Sequence, residues 1–562
     1  MKFFLLCSLC LLFASWAETG QKPRRQARSM VISRFGIVAT SQSLASAAAV
    51  RILEEGGNAI DAAIAANAVL GVVEPGSNGI GGDLFAMVYE AKSGRLYGLN
   101  ASGWAPSGLT IDFLEARGIR SMPQEGINSV TVPGCVAGWE ALHRRFGKMP
   151  FSRLLSPAIY YGNNGFPVTE IISASWQDAV DFLTSHANAR ETFLLGGKAP
   201  KVGEVFRNPD LARSLQKIAE QGRDGFYRGS TAESILQISK ENGGTFKLSD
   251  LTEFEPEWVE PISTTYRGWT VYELPPNGQG IAALSMLNLM ERFPLEEYGH
   301  NSAKALHVLI EAKKLAYADM LRNVGDPRFS EVPVKTLLSK SFAEQRARLI
   351  LTEKASCLVP PAELTEISHS SGGDTIYLSA IDHEGNIVSL IQSNYKGFGS
   401  GLIPPRTGFP LQNRGALFTL DRGKPNSLEP RKRPLHTIIP AFMEKEGVRI
   451  GFGIMGGWNQ AQAHAQFVSN VVDFEMNIQE ALEVARFTKP TFEGCDVQIE
   501  DRIPEKVRNV LFQWGHELNL LGPFSDSMGG GQAVMRDRSG IHFGGSDPRK
   551  DGEAVPESPP WD

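Results

Sequence analysis

The sequence predicts a mixed α/β fold. Alternating, β-branched stretches typical of strands occur toward both ends of the chain, and residues 133–330 show the 3.6-residue periodicity of helices. The chain contains no internal repeat, and its composition shifts only in a charged connection with Pro and Ser at residues 333–374. Strands at both ends with helices between them fit a single α/β unit as well as two domains.

The N-terminus differs from the rest of the chain. Lys2, the apolar residues 3–13 and the small residues Ser15 and Ala17 match a secretory signal peptide at residues 1–17. The apolar run is too short to span a bilayer. We therefore expect export to the periplasm or the medium, with residues 18–33 as a disordered leader. Met30 is an alternative start, and a chain that begins there would not be exported.

The globular part begins with a strand, two helices and a hairpin. A strand at "GIVATSQ" precedes a helix over residues 43–55, which two glycines end, and an Ala-rich helix that ends near Pro75. So many alanines on one helix imply close packing against another layer. A glycine-rich loop at residues 76–82 leads into two alternating strands joined by the turn residues Lys92-Ser93-Gly94.

The remaining elements follow the same periodicities. Helices are predicted over residues 136–146, 208–221 and 230–242 and over "NSAKALHVLIEAKKLAYADMLRNVG", and "ISTTYRGWTVYELPP" interrupts them as two strands. From Thr375 onward strands dominate again, with helices predicted over residues 477–487 and 504–515. "DHE", residues 382–384, reads as a turn between two of these strands.

The bulk composition argues against several classes of partner. A net charge of -6 and a pI of about 6.0 give no reason to expect a nucleic acid or an acidic membrane. Behind the signal peptide the cysteines are Cys135, Cys357 and Cys495, whose wide spacing predicts neither a disulfide framework nor a zinc site. The fold is thus expected to depend on its core alone. The ten histidines form no His-Glu-x-x-His pattern, so no metal is expected.

Two other motifs give weak signals. "GSNGIGGDLF" lacks both the dinucleotide spacing and a Walker Lys-Ser/Thr, so close backbone packing is favoured there over a phosphate site. A phosphate-binding protein that uses residues 76–82 is the weakest alternative for the whole chain. No Gly-x-Ser-x-Gly elbow occurs, which disfavours a Ser-His-Asp hydrolase.

The stretch "SSGGDTIYLSAIDHEGNIVSL" suggests a different chemistry. A loose Ser-Ser-Gly-Gly-Asp run passes directly into a strand whose second residue is Thr375. An N-terminal threonine carries its own base, because its α-amine has a pKa of about 7.7–8.0. A cut before Thr375 would therefore create a nucleophile, whereas an uncut Thr375 is an ordinary strand residue. The pattern alone leaves both interpretations open.

Several ordered stretches resemble the γ-glutamyltransferase (γ-glutamyltranspeptidase) family of N-terminal-nucleophile hydrolases, which includes the cephalosporin acylases. The resemblance covers nearly all of the chain after the leader. The stretches that carry it are "GGNAIDAAIAANAVLGVVEP", "GIGGDLF", "SVTVPGCVAGWEALHRRFGKMPFSRLLSPAI", "AYADMLRNVGDPRF", "DTIYLSAIDHEGNIVSL", "LQNRG", "RKRPLHTIIP", "GIMGGWNQAQ" and "GGSDPRKDGEA".

The resemblance implies a four-layered αββα sandwich, built as one domain from two chains. A precursor of this family cuts itself, here between Asp374 and Thr375, into a large subunit of residues 34–374 and a small subunit of residues 375–562. The substrate would be a small amide, such as a γ-glutamyl compound, and no cofactor would be needed.

The resemblance also implies roles for individual residues. Ser393 falls where the family places a second hydroxyl beside the nucleophile, and Gly456 and Gly457 fall where backbone N–H groups form the oxyanion hole. The expected substrate-binding residues are Asn413, Arg414, His436 and Thr437.

The chain departs from the family pattern at the expected acyl-binding positions. Ser102 stands where the family has the arginine that binds the α-carboxylate of the glutamyl group, and Leu417 stands near its acidic partner for the amino group. His436 and Thr437 replace a pair of serines, and Tyr395 replaces an asparagine. Since charge-assisted hydrogen bonds contribute about 1.5–3 kcal/mol each, a strong preference for a glutamyl zwitterion is not expected.

These features predict an exported, self-cleaving amidohydrolase or acyltransferase of the glutathione hydrolase type. Arg414 would bind an acidic acyl group from another direction, or it is a structural arginine. One alternative within the same chemistry is a cephalosporin-acylase-like amidase that acts on glutaryl groups. An alternative from another class is an uncleaved, non-catalytic binding protein on the same scaffold.

Overall fold

A computed structural model describes residues 26–359 and 373–560. The predicted signal peptide lies outside these residues. The strands, in chain order, are β1 (Val31–Ser33), β2 (Ile37–Thr40), β3 (Asp83–Glu90), β4 (Arg95–Ala101), β5 (Phe166–Pro167), β6 (Val205–Phe206), β7 (Glu257–Val259), β8 (Ile262–Tyr266), β9 (Trp269–Glu273), β10 (Asp374–Ile381), β11 (Ile387–Tyr395), β12 (Ala441–Lys445), β13 (Val448–Ile454), β14 (Phe487–Thr488), β15 (Asp496–Glu500), β16 (Glu517–Leu521), β17 (Gly531–Arg536), β18 (His542–Ser546) and β19 (Glu553–Pro556).

Helices fill most of the middle of the chain. In order they are α1 (Ser43–Glu54), α2 (Ala59–Val73), α3 (Ile111–Glu115), α4 (Cys135–Phe146), α5 (Phe151–Asn164), α6 (Glu170–Asp178), α7 (Val180–Ser185), α8 (Ala187–Phe193), α9 (Pro209–Gln221), α10 (Asp224–Tyr227), α11 (Gly229–Glu241), α12 (Leu248–Thr252), α13 (Gly280–Met290), α14 (Leu295–Tyr298), α15 (Ala303–Asn323), α16 (Val334–Leu337), α17 (Lys340–Ala347), α18 (Gln460–Val472), α19 (Ile478–Glu483) and α20 (Glu505–Gln513).

Two antiparallel sheets of seven strands each form the centre of the fold. The first has the order β1-β18-β17-β13-β12-β9-β8, and the second has the order β19-β2-β10-β11-β3-β4-β7. Their facing sides share one apolar cluster, to which the second sheet contributes Tyr377 and Ile391 and the first contributes Phe442 and Val534. The two sheets therefore pack face to face.

A helical layer covers the outer side of each sheet. α1, α2 and α4 pack on the second sheet, and α13, α18 and α19 pack on the first. α2 lies wholly inside the protein, because all fifteen of its residues are buried. A capping box at Asn58 and Asp61 fixes its start. The order of layers is αββα, as the family resemblance implies.

Most of the predicted elements are present with small shifts at their ends. The Ala-rich helix is α2, the turn at residues 92–94 joins β3 to β4, and the two-strand interruption is β8 and β9. The helix predicted over residues 477–487 is shorter, since α19 ends at Glu483 and β14 begins at Phe487. The sequence predicted two helices after Thr375 and missed α18, a buried helix whose polar Gln and His side chains weaken its apolar pattern.

The expected leader is ordered over its last part. β1 pairs with β18 at the edge of the first sheet, and the Ala27 N–H donates to Glu483 Oε1 over 2.8 Å. The prediction of disorder through residue 33 is thus wrong for the described residues of this segment. The alternation in "VIS" is enough to add a short edge strand when a partner strand is available.

The expectation that no disulfide would form is also wrong. Cys357 and Cys495 form a disulfide bond across 138 residues of sequence, and Cys135 is buried as a free thiol. The fold brings together two cysteines from opposite sides of Thr375, a proximity that spacing alone does not reveal. Among the described residues, no helix combines the length and the apolar character needed to cross a membrane.

Candidate active site

Thr375 lies near the start of β10, at one end of the second sheet. β10 pairs with β2 on one side and with β11 on the other. Its register with β11 shifts at this point: Asp374 is opposite Tyr395, and Ile376 is opposite Gln392. Two residues of β11 therefore face the single residue Thr375, as in a β-bulge. The bulge brings the side chain of Ser393 against Thr375.

A chain of hydrogen bonds connects the nucleophile candidate to the peptide before it. The Thr375 hydroxyl donates to Ser393 Oγ over 3.2 Å, and the Ser393 hydroxyl donates to the Asp374 carbonyl oxygen over 2.7 Å. The Tyr395 N–H donates to Ser393 Oγ over 2.7 Å, which fixes that hydroxyl in place. Ser393 thus contacts both the Thr375 hydroxyl and the carbonyl that a cut would break. Thr375 and Ser393 are both buried.

Tyr395 has an unusual backbone conformation. Its φ of 78° lies in the left-handed region, where a bulky residue is strained. The ring is buried, and the Arg414 guanidinium lies 4.7 Å from the ring centroid. This conformation accompanies the bulge and directs the Tyr395 N–H to Ser393 Oγ.

Gly456 and Gly457 follow β13 and begin the short turn that continues into α18. Their φ values of 122° and 58° favour glycine. In the described part of the chain neither N–H has a hydrogen-bond partner. The α18 N-terminus adds the positive end of a helix dipole at this point. An added Cβ at Gly373 would lie 3.1 Å from the Gly457 Cα atom, so the turn approaches the chain just before Thr375.

Gln279 holds the glycine turn in position. Its Nε2 donates to the Gly457 carbonyl oxygen over 2.8 Å and also to the Thr437 carbonyl oxygen. The Tyr317 hydroxyl, on α15, bonds the Trp458 carbonyl oxygen over 2.5 Å. These bonds fix the backbone of the turn, and the Gly456 and Gly457 N–H groups, which have no partner among the described residues, stay available for a ligand.

Arg414, His436 and Thr437 form a buried network around Asp83. Asp83 Oδ2 accepts from Arg414 Nε over 2.9 Å and from His436 Nε2 over 2.7 Å, and Arg414 Nη1 donates to Thr437 Oγ1 over 2.6 Å. Burial, reinforced by the Arg414 charge, lowers the pKa of His436 to about 4. His436 is therefore neutral near pH 7. All four side chains are fully buried, although Arg414 Nη2 has no hydrogen-bond partner among the described residues.

The expected substrate-binding residues are bonded to other groups of the protein. Asn413 donates from Nδ2 to the Gln124 carbonyl oxygen over 2.7 Å, and its Oδ1 accepts from the Lys396 N–H over 3.1 Å. Ser102 and Leu417, the positions that depart from the family pattern, are buried as well. Neither Asn413 nor the network around Asp83 lines the cavity described next.

A cavity of about 280 Å³ opens beside Thr375. Its wall consists mostly of small and polar residues, with Trp458, Met455 and Pro490 as the larger apolar members. Gly456 belongs to this wall, so the cavity joins the nucleophile candidate to the glycine turn. The cavity is wide enough for a small acyl group.

Three charged residues line this cavity: Asp374, Asp526 and Lys550. Lys550 Nζ lies 3.5 Å from Oε1 of the buried Glu74. Burial alone would lower the pKa of Lys550, but the Glu74 and Asp374 carboxylates raise it above its ordinary value. Sequence reasoning missed Lys550 as a site residue, although it lies in "GGSDPRKDGEA", one of the stretches that carry the resemblance.

The glycine-rich loop of residues 76–82 is packed by its backbone. The Gly79 N–H donates to Gln392 Oε1 over 3.0 Å, and the Gly81 carbonyl oxygen accepts from the Gln412 N–H over 3.0 Å. A Cβ at Gly81 would lie 2.0 Å from the Pro410 carbonyl oxygen. The prediction of close backbone packing is confirmed.

One cluster in the described residues has the composition of a metal site: His307, Glu311 and His516. His307 Nε2–H donates to the Leu351 carbonyl oxygen, so Nδ1 accepts from His516 Nε2–H over 2.8 Å. The Lys314 ammonium donates to Glu311 Oε1 over 2.7 Å. The two histidines thus bond to each other and Glu311 bonds to Lys314, as in a structural network.

Comparison with known proteins supports the resemblance. The Gamma-glutamyltranspeptidase family model matches residues 45–557. The chain is 38% identical over 534 residues to the Glutathione hydrolase-like YwrD proenzyme of Bacillus subtilis, covering 93% of this chain and 99% of the relative. It is 34% identical over 536 residues to the Oxamate amidohydrolase proenzyme of Klebsiella pneumoniae, with the same coverage.

A solved structure agrees with the fold. The cephalosporin acylase of Bacillus halodurans superimposes with a TM-score of 0.88 at 41% sequence identity, covering 96% of this chain and 99% of that chain. This likeness extends through both sheets and both helical layers, since almost no part of either chain is left out. Together with the matched family model, it establishes that the chain belongs to the gamma-glutamyltranspeptidase family of hydrolases.

Proposed function

We propose that the chain is a precursor that cleaves its own peptide bond between Asp374 and Thr375 and then acts as an amidohydrolase or acyltransferase with Thr375 as its nucleophile. The observation that carries this proposal is the hydrogen-bond chain from the Thr375 hydroxyl through Ser393 to the Asp374 carbonyl. The names of the relatives, which include two proenzymes and an acylase, are in line with it.

Self-cleavage would proceed by an acyl shift. Thr375 Oγ1 attacks the Asp374 carbonyl carbon, the C–N bond breaks as the C–O bond forms, and the proton of the hydroxyl goes to the released amine. Ser393 donates to the carbonyl oxygen as negative charge develops there. Such a donor accelerates acyl transfer by about 10²–10³-fold. Water then hydrolyses the ester and leaves Thr375 as a new N-terminus.

Turnover would again use Thr375 Oγ1 as the nucleophile. The freed α-amine of Thr375, with an ordinary pKa of about 7.7–8.0, takes the hydroxyl proton as Oγ1 attacks an amide carbonyl. The unpaired N–H groups of Gly456 and Gly457 would bind the oxyanion, with the α18 helix dipole adding to their effect. The amine product leaves with the proton, and water or another amine resolves the acyl-enzyme.

The acyl group is expected to differ from a γ-glutamyl zwitterion. Ser102 and Leu417 supply no charge at the family's glutamyl-binding positions, and Arg414 is committed to Asp83. A small amide without the amino-acid zwitterion suits the cavity better, which favours an acylase-like substrate. The relatives named after oxamate and cephalosporin substrates support this direction.

Export completes the proposal. The signal-like residues 1–17 direct the chain out of the cytoplasm, and the disulfide bond between Cys357 and Cys495 suits an oxidising compartment. The Asp374–Thr375 cut would leave residues 34–374 and 375–562 as two subunits of one αββα domain.

A substrate panel tests the function. Purified, cleaved protein is assayed with γ-glutamyl and glutaryl p-nitroanilides, and Thr375→Ala serves as the inactive control. Turnover of either anilide by the wild type, absent in the variant, supports the amidohydrolase and ranks the two acyl groups. A folded protein that stays uncleaved and turns over neither anilide would favour the binding-protein alternative.

A further inference from the structure

The precursor holds an acyl group of its own in the cavity. Under the proposed function, the carbonyl carbon of Asp374 is the first carbon that Thr375 attacks, so Asp374 occupies the acyl side of the site. Its side chain lines the cavity. Its carboxylate lies over Gly397, where an added Cβ would be 2.9 Å from Asp374 Oδ2. The residue thus shows where an acyl side chain fits.

Lys550 lines the same cavity as this acyl group. It is the only basic residue among the described residues that line the cavity, and it interacts electrostatically with both Asp374 and Asp526. Its position is constrained, because an added Cβ at Gly530 would lie 2.4 Å from Lys550 Cγ. The Glu74 carboxylate pairs with the ammonium group at 3.5 Å.

Cleavage changes the charge balance at Lys550. Before the cut, the acidic residues Asp374 and Asp526 line the cavity with the basic residue Lys550, and Glu74 also pairs with Lys550. When Asp374 leaves the acyl position, its side-chain carboxyl group and the α-carboxylate formed by the cut leave with it, and Thr375 gains an α-amine. An incoming carboxylate can then take the place of the Asp374 side chain beside Lys550 without adding to the negative charge that the fold already accommodates.

We propose that Lys550 binds the distal carboxylate of the substrate and makes the mature enzyme selective for dicarboxylic monoamides of the succinyl type. The inference rests on the proposed function and refines its substrate. In Asp374 two carbons, Cα and Cβ, separate the attacked carbonyl from the carboxylate, and a succinyl group has this same spacing. Lys550 is a specificity-determining residue in this account, since it contacts substrate away from the reacting atoms.

The test compares acidic and neutral acyl groups of equal length. Succinyl-p-nitroanilide and butyryl-p-nitroanilide are assayed with the wild type, with Lys550→Met and with Lys550→Arg. The expected loss in Lys550→Met is about 10- to 100-fold in kcat/KM for the succinyl substrate, mainly through KM, because one charge-assisted contact is removed. Activity on the butyryl substrate should stay within about twofold, and Lys550→Arg should restore part of the preference.

The control removes a lysine that also pairs with a glutamate but lies on the surface. Lys148 donates to Glu384 over 2.7 Å, and nearly half of each side chain is exposed. Lys148→Met should leave both substrates unaffected. Equal losses on both substrates in Lys550→Met would overturn the proposal, because they would show that Lys550 only maintains the structure.

Two measurements keep the proposal falsifiable if Lys550→Met does not mature. The first is the preference of the wild type, which should favour succinyl over butyryl anilide by at least about tenfold. The second is product inhibition, in which succinate should inhibit butyryl-anilide hydrolysis at least about tenfold more tightly than butyrate. No preference in either measurement would overturn the proposal. An N-terminal Thr375 together with butyryl turnover would still support the proposed function, so the two failures are distinguishable.

Discussion

The disulfide bond should keep the two subunits joined after the cut. Cys357 precedes Thr375 and Cys495 follows it, so cleavage between Asp374 and Thr375 leaves one cysteine on each chain. On a denaturing gel without reductant the cleaved protein should run as one species. With reductant it should separate into two chains, the smaller of which begins at Thr375.

The size of the stabilisation follows from the length of the loop. A cross-link over 138 residues lowers the entropy of the unfolded chain enough to stabilise the fold by about 5 kcal/mol. With an unfolding entropy of about 2.1 cal/mol/K per residue, or about 1.2 kcal/mol/K for this chain, that corresponds to a Tm difference of about 4–5 °C. The comparison needs an uncleaved background, because the loop argument applies to a single chain.

The assay uses Thr375→Ala with and without Cys357→Ser and Cys495→Ser. We expect the doubly substituted chain to fold and to melt about 4–5 °C lower. In the cleavable background the same substitutions should leave the subunits associated, since β10 and β11 of one subunit pair with β2 and β3 of the other. Subunits of the wild type that separate on a denaturing gel without reductant would refute the reasoning.

Three further predictions concern the site and its supporting network. Ser393→Ala should slow self-cleavage by about 100-fold, because the Asp374 carbonyl loses its hydrogen-bond donor. Gel samples taken at timed intervals measure this rate. Arg414→Met should lower the free energy of unfolding by about 3–5 kcal/mol in a denaturant titration, because it leaves Asp83 buried without its cation. A stable variant with an altered KM would instead show that Arg414 binds substrate. The pKa of His436 is about 4 in the folded state and about 6.5 in the unfolded state. The free energy of unfolding should therefore be unaffected by His436 above pH 6.5 and should fall by up to about 1.4 kcal/mol per pH unit as the pH falls from 6.5 toward 4. A Tm that rises over this interval on acidification would contradict this prediction.

The elements of the fold were predictable where local signals were strong. α2 is capped by Asn58 and Asp61, and the turn at residues 92–94 joins two regular strands, so sequence periodicity located both. The pairing of β10 with β2 was not predictable from local pattern, because the two strands lie hundreds of residues apart in the sequence. The disulfide bond between Cys357 and Cys495 depends on the same long-range assembly and was missed for that reason.

The candidate site was also only partly predictable from the sequence. The stretch around Thr375 and the family resemblance led to Ser393 and the glycine pair, which the structure brings to one end of the two sheets. Arg414 was a reasonable candidate for binding a carboxylate, but its burial with Asp83 depends on tertiary packing that residue type does not reveal. Lys550 reaches the cavity only because the chain after β18 returns to the start of β10.

The central claim is that the peptide bond between Asp374 and Thr375 breaks to release the nucleophile. The most direct test is the intact mass and N-terminal sequence of the purified, mature protein, measured after reduction. The account predicts a fragment that begins Thr-Ile-Tyr-Leu and ends at Asp562. A folded protein that keeps a single chain through Asp374 and Thr375 after prolonged incubation would contradict it.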